Sequence, residues 1–176
     1  ATTRVVYSTD HGDNLGTRGL WNKDTLYRES AAIPLIVAGP GVPRNATCRT
    51  NVSLVDLYPT FLEAVGLPGT PQERTLPGRS LFDIATAPDD PQRAVLSEYH
   101  AVGAAGGAFL LAQGRYKYHY YVGFPPELFN IEADPEETRD LAADPAHGQV
   151  VREFEARLRA MLDPEAVDRR AKDDQN

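Results

Sequence analysis

Tyr7-Ser8-Thr9-Asp10-His11-Gly12-Asp13, followed by Gly19-Leu20-Trp21-Asn22-Lys23, is the stretch around which the rest of the chain is organised. The apolar run Val5-Val6-Tyr7 breaks into an acid, an imidazole and a glycine, which is how a buried strand ends when its C-terminal tip carries polar chemistry. Adjacent Asp10 and His11 at such a tip both face one cation if the backbone turns there, and Gly12 permits that turn. Thirteen residues after Asp10 comes Lys23, a cation on a long stem that reaches back to hold an anionic group beside a metal.

Taken alone, each of these residues has a plainer reading. An Asp-His pair in a turn is more often solvated or a local cap than a ligand pair, and a lysine is by default a surface residue. The wider pattern changes the balance. The run Ser8-Thr9-Asp10-His11-Gly12-Asp13-x-Leu15-Gly16-x-x-Gly19-Leu20-Trp21-x-Lys23, then Tyr27-x-Glu29-Ser30 and Ile33-Pro34-Leu35-Ile36-Val37-x-x-Pro40-Gly41, closely resembles the C-terminal half of type I sulfatases of the alkaline phosphatase superfamily. The resemblance continues through Asp56-Leu57-Tyr58-Pro59-Thr60 and Gly78-Arg79-Ser80-Leu81, and reappears in Glu127-Leu128-Phe129-Asn130 with Asp134-Pro135-Glu136-Glu137.

The resemblance implies a fold class, α/β: the C-terminal part of an alkaline-phosphatase-like core plus a small antiparallel sheet subdomain packed with a C-terminal helix. It implies that Asp10 and His11 help complete a divalent metal site and that Lys23 contacts the sulfate. The reaction implied is hydrolysis of a sulfate monoester, with a formylglycine hydrate attacking sulfur. Calcium is the common metal of the family; an imidazole in place of an amide admits a softer ion such as manganese, and magnesium is a further candidate. Phosphonate monoester and phosphodiester hydrolases of the same superfamily use the same Asp-His and Lys constellation and form one alternative. A non-catalytic chain serving binding or assembly is the other.

One departure from the family pattern is informative. The formylglycine is made from Cys or Ser in a Cys/Ser-x-Pro/Ala-x-Arg motif near the family's N-terminus, whereas the single cysteine here, Cys48, is followed by Arg49-Thr50-Asn51-Val52. The sequence also begins at Ala1, without methionine. The expectation is the C-terminal portion of a longer enzyme whose N-terminal half, with its nucleophile, is the partner this portion requires. Two ligands alone hold a metal poorly, so the isolated portion is expected to be inactive.

Composition narrows the function classes. At 176 residues with 41% apolar content, the chain is globular and able to bury a core, with an expected division into residues 1–92 and 93–176. No apolar run is long enough to span a bilayer, so no membrane partner is expected; no signal peptide is seen, which with an N-terminal half expected to be missing says nothing about export. A net charge of −7, from 25 acids and 18 bases, leaves no electrostatic footprint for nucleic acid. The same excess repels anions at long range, so a sulfate ester as small-molecule substrate must be held by local cations and a metal. One cysteine excludes an internal disulfide framework. Asn45-Ala46-Thr47 and Asn51-Val52-Ser53 match a glycosylation pattern short enough to arise by chance.

Along the chain, residues 4–9 and 33–38 read as near-continuously apolar strands, expected to be central and parallel. The loop between them carries Trp21, expected to anchor it by packing, and Asp13, expected to support it by hydrogen bonds. Tyr27, Glu29 and Ser30 are expected to structure the segment entering the second strand. Apolar residues recur at helical spacing over 53–65, closed by Gly66, with Pro59 bending or starting the helix. The proline-rich stretch 67–91 reads as a surface excursion. Residues 94–99, 108–112, 115–121 and 127–131 read as short strands of an antiparallel sheet, with Gln113-Gly114 at hairpin spacing. Residues 148–162 form one apolar stripe of an amphipathic helix packed on that sheet, and the charged tail from Asp163 is expected to fray. His100, after Glu98-Tyr99, is the remaining candidate for a catalytic, substrate-facing role, and the loop 100–107 is expected to help choose the organic part of the substrate. His119 is expected on the sheet surface, Tyr116, Tyr118, Tyr120 and Tyr121 packing on one another, and His147 in a structural role.

Overall fold

A computed structural model gives the fold of residues 2–101 and 103–175. Two antiparallel sheets and several helices alternate along the chain. Strands β1 (Val5–Tyr7) and β2 (Ile36–Ala38) form a two-stranded sheet. Between them lies the short helix α1 (Arg28–Ala31), and after them come α2 (Leu57–Ala64) and α3 (Leu81–Thr86). A four-stranded meander follows: β3 (Ala94–Tyr99), β4 (Ala108–Gln113), β5 (Tyr116–Tyr121) and β6 (Phe124–Asn130), each paired with its sequence neighbour. Helices α4 (Gly148–Met161) and α5 (Pro164–Gln175) complete the described chain. None of these helices is long and apolar enough to cross a membrane.

The first sheet corrects one expectation. β1 and β2 run antiparallel, pairing Val5 with Ala38 and Tyr7 with Ile36, rather than parallel. Within this chain Tyr7 and Ile36 are each 61% exposed. Continuous apolarity reports what the strand faces could bury and carries no information on strand direction.

The meander is the well-packed part. Its register stacks Leu111, Tyr118 and Leu128 on one face, where Phe154 and Leu158 of α4 close over them to form the core with Phe109. The stripe expected over 148–162 is therefore real at its centre, although Met161 is half-exposed. The opposite face carries Leu110, Lys117, His119 and Phe129, all buried, with Leu26 packed against Leu110 and Ala108. His119 is thus not a sheet-surface residue: the loop preceding α1 covers that face and buries the ring completely.

Other local readings resolve similarly. Pro59 lies in the first turn of α2, where its missing N–H costs nothing, so it neither bends nor starts the helix. Ser53 and Asp56 form a reciprocal capping box at the turn before it. Gly66 ends α2 in the left-handed region (φ 72°). The stretch 67–91 is not a bare surface excursion: α3 buries Leu81, Phe82 and Ile84, capped by Ser80. The tail also departs from expectation, because Pro164 starts α5 and Asp168 accepts from the Gly107 amide at 2.6 Å, tying the helix to the sheet. His147 precedes α4 with Nδ1 3.4 Å from Asp144, as a structural residue would. Asp56, fully buried, accepts from Arg93 Nη2 (2.6 Å) and the Arg79 amide (2.8 Å), joining the α2–α3 segment to the start of the meander.

Candidate active site

The site forms where β1 ends. Ser8 Oγ donates to Pro34 O at 2.9 Å, fastening the strand end to the segment that leads into β2. Asp10 then turns outward and stays exposed, its Oδ1 accepting from the His11 amide at 3.1 Å. Hydrogen bonding to the local backbone, aided by the neighbouring His11 and the Thr9 hydroxyl, holds the Asp10 carboxyl below the usual carboxylate range.

His11 has both ring nitrogens committed. Nδ1 lies 2.7 Å from Gly12 O, a group that only accepts, so Nδ1 carries the hydrogen and Nε2 presents its lone pair. Lys23 Nζ donates to that lone pair at 2.6 Å, and Asp10 Oδ2 lies 3.6 Å from the same nitrogen. Two other residues singled out in the sequence, Asp10 and Lys23, therefore converge on His11 Nε2.

Gly12 matters for a reason the sequence does not display. It does not adopt the left-handed backbone; instead a Cβ at this position would sit 2.0 Å from the Glu29 carbonyl oxygen. Only glycine lets the turn approach α1 this closely. Its amide donates to Ser30 O at 2.8 Å, while Ser30 Oγ donates to the Lys23 carbonyl. Ser30, buried in α1, thus joins the two halves of the site.

The intervening loop is a closed unit. Asn14, fully buried, donates from both its amide (2.9 Å) and its side chain (2.5 Å) to Asn22 O, and Thr25 Oγ1 donates to Asn14 Oδ1. Asp13 Oδ1 accepts from the Leu15 amide at 3.0 Å, the supporting role expected of it. Trp21 does not anchor the loop by burial: it is 70% exposed and lies over Gly16. Ser30, expected only to structure the segment entering the second strand, also holds Gly12 and Lys23, whereas Asn14 is a support that the sequence reading missed, because a buried polar side chain satisfied by backbone has no periodic signature.

Asp10, His11 and Lys23 open on a cavity of about 410 Å³, whose walls include Leu26, Leu57 and Tyr99. His100 is placed apart from them. Its Nε2 lies 3.0 Å from Glu98 Oε2, its ring meets Phe109 edge-on at 5.1 Å, and its carbonyl accepts from Gln175. Among the described residues, Glu98 lines the cavity and His100 does not. The loop 100–107 borders a second cavity shared with Asp24, Tyr99 and Phe124; Val102 within it lies outside the described residues. Cys48 is exposed and lines a third cavity with Leu81 and Ile84, away from Lys23.

A hard carboxylate oxygen and an imidazole lone pair facing one cavity suit part of a divalent ion's shell. They are a share of it only: among the described residues no cluster of three or more His, Cys, Asp or Glu side chains is arranged to hold a metal.

The chain is similar to known proteins over most of its length. The profile of the family described as N-sulphoglucosamine sulphohydrolase, C-terminal, matches residues 16–163. Arylsulfatase K of Rattus norvegicus is 33% identical over 153 residues, covering 81% of this chain and 27% of that protein. The structure of a 2-O GAG sulfatase superposes with a TM-score of 0.78 at 28% identity, covering 98% of this chain and 37% of the other. The phosphonate monoester hydrolase of Silicibacter pomeroyi superposes with a TM-score of 0.76 at 28% identity, over 90% of this chain and 34% of that one. The chain therefore spans about a third of the length of the proteins it matches.

Proposed function

Because the chain belongs to the sulfatase family defined by the C-terminal domain of N-sulphoglucosamine sulphohydrolase, we propose that it supplies the sulfate-binding lysine and part of the metal site of an enzyme hydrolysing sulfate monoesters. The observation that carries this reading is the convergence of Lys23 Nζ and Asp10 Oδ2 on His11 Nε2, at 2.6 and 3.6 Å, at the mouth of one cavity.

Each residue then has a role. Asp10 and His11 hold a divalent cation, calcium in the first instance, with manganese or magnesium as alternatives. When bound, that cation offsets the ester's charge and eases ionisation of the nucleophile. The single lone pair of His11 Nε2 serves either Lys23 or a metal, so a His11 engaged by metal leaves Lys23 with all three N–H donors for sulfate oxygens. Lys23 then neutralises charge on the group being transferred, a stabilisation worth most when water is excluded. The nucleophile in this proposal is a formylglycine on the remainder of the enzyme, consistent with the share of the relatives that this chain covers. His100, held by Glu98 beside the 100–107 loop, is proposed to act at the substrate's organic end rather than at sulfur.

The test is turnover of an aryl sulfate by the complete protein beside its Asp10→Ala and Lys23→Ala variants, with bound metal measured. Sulfate turnover that both variants abolish, with metal lost only from the Asp10 variant, is expected. The likeness to a phosphonate monoester hydrolase favours a second reading, in which the same groups hold a phosphonate monoester or phosphodiester. Side-by-side assay separates the two, and dominant phosphorus-ester activity overturns the sulfatase reading.

A further inference from the structure

One half-buried carboxylate on the meander is joined to the site through hydrogen bonds linked by the covalent frames of Tyr27 and Ser30. Tyr27 Oη donates to Glu127 Oε1 at 2.8 Å, Tyr121 Oη donates to Oε2 at 2.9 Å, and His119 Nδ1 lies 3.1 Å from the same oxygen. Burial works against charge on Glu127, yet the bonds from His119, Tyr27 and Tyr121 hold its carboxyl below the usual range, so it is a committed acceptor. The Tyr27 ring is fixed as well, edge-on to His119 (5.6 Å) and Phe129 (6.0 Å), with the Arg18 guanidinium 4.5 Å over its face. None of these groups lines the cavity that holds Asp10, His11 and Lys23.

Tyr27 is the residue immediately before α1. Its carbonyl accepts from the amides of Ser30 (3.0 Å) and Ala31 (2.9 Å). Ser30 in turn holds the Gly12 amide with its carbonyl and the Lys23 carbonyl with its hydroxyl. The path from the sheet to the His11–Lys23 pair is thus Glu127, Tyr27, Ser30, and then Gly12 on one side and Lys23 on the other. We propose that Glu127 is a positioning residue: through Tyr27 it fixes α1 against the meander, and through Ser30 it sets the register between His11 and Lys23. Its readout in activity rests on the sulfatase reading; its readout in backbone protection does not.

Two hydroxyls bonded to one carboxylate provide a matched test. Tyr27→Phe and Tyr121→Phe each delete one donor to Glu127 and keep the ring, but only Tyr27 belongs to the segment that carries the site. In the complete protein, Tyr27→Phe is expected to lower kcat/KM for an aryl sulfate by about tenfold to a hundredfold, the scale of a small misplacement of reacting groups. Tyr121→Phe is expected to change it less than about threefold, with melting temperatures of the two variants within a few degrees of each other, because each loses one comparable bond. Hydrogen exchange should show residues 9–31 deprotected in Tyr27→Phe and unchanged in Tyr121→Phe. Equal losses in the two variants, or full activity and unchanged exchange in Tyr27→Phe, overturn the proposal. A wild-type protein that turns over no sulfate ester would refute the sulfatase reading, and the exchange comparison alone would then decide the role of Glu127.

Discussion

Lys23 Nζ and His11 Nε2 lie 2.6 Å apart, a lysine ammonium donating to the one imidazole nitrogen whose lone pair could instead bind a cation. The two roles proposed for this pair are therefore coupled: occupation of Nε2 by a metal releases the lysine. Lys23 itself is exposed and contributes little packing, so its removal tests chemistry with small effect on folding. Lys23→Met in the complete protein should lower kcat/KM for a sulfate ester by about 100-fold or more, the usual loss when a charge-stabilising group is deleted. Its melting temperature should stay within a degree or two of wild type. Activity within a few-fold of wild type would remove Lys23 from the mechanism.

Gly12→Ala should be far more damaging than its size suggests. The added carbon meets a backbone carbonyl at 2.0 Å, which cannot rotate away as a side chain would. The turn and α1 must separate, at a cost of about 1–3 kcal/mol, and the bond from Gly12 N to Ser30 O goes with it. Thermal denaturation should show the loss, with metal content and activity falling together. An alanine variant with wild-type stability and activity would mean the approach is looser than the structure shows.

The buried pair Lys117–Glu137, at 2.7 Å, is a strong point of the sheet's inner face. Burial pushes the Lys117 ammonium down, opposed by Glu137, and Glu137 also accepts from the Arg28 amide at 3.0 Å. Lys117→Met would leave a buried carboxylate without its counter-charge and should destabilise the protein by about 3–5 kcal/mol. Chemical denaturation measures this directly. A loss under about 1 kcal/mol would show that water reaches Glu137.

Acid should loosen the last helix. Hydrogen bonds from Arg159 and then Tyr120 hold the Glu165 carboxyl at about 2, against an ordinary value of 4.5. A depressed carboxyl contributes stability that is present above pH 4.5 and is lost as pH falls towards 2. Glu165 is partly exposed, so solvent and salt reduce the effect. Exchange protection in α5, taken relative to the intrinsic rate at each pH, should therefore fall through this window at low salt, and Glu165→Gln should lower it already at neutral pH. Identical acid profiles for the two proteins would place the acid-sensitive contact elsewhere.

The sequence made the meander and α4 readable, because short apolar or aromatic runs such as 94–99 and 115–121, bounded by turn residues, and the stripe through Phe154 and Leu158 are local signals. Asp10, His11 and Lys23 stood out through the family resemblance of the motif that holds them, and spacing alone did not show that His11 and Lys23 meet. What escaped depends on distant partners. β1 and β2 pair antiparallel, and α3 forms in a proline-rich stretch because Leu81, Phe82 and Ile84 find a buried surface there. α5 holds because Asp168 reaches Gly107, 61 residues away. Glu127 and Glu137 bond residues about a hundred positions earlier in the chain. A charged residue is read as exposed by default, so nothing local distinguishes these two from the solvated acids beside them.

The turn before α4 carries a consequence of its own. Glu137 adopts a left-handed backbone (φ 50°) although it is not glycine, and its side chain is almost wholly buried. Arg18 and Arg28 both reach this turn from the other end of the chain. In a library of random variants, position 137 would tolerate as little change as the sheet's centre, despite its place in a connection. Engineers shortening the protein by loop trimming would reasonably start at such a segment, and here they would sever the fastening of the loop that carries Arg18 and Lys23.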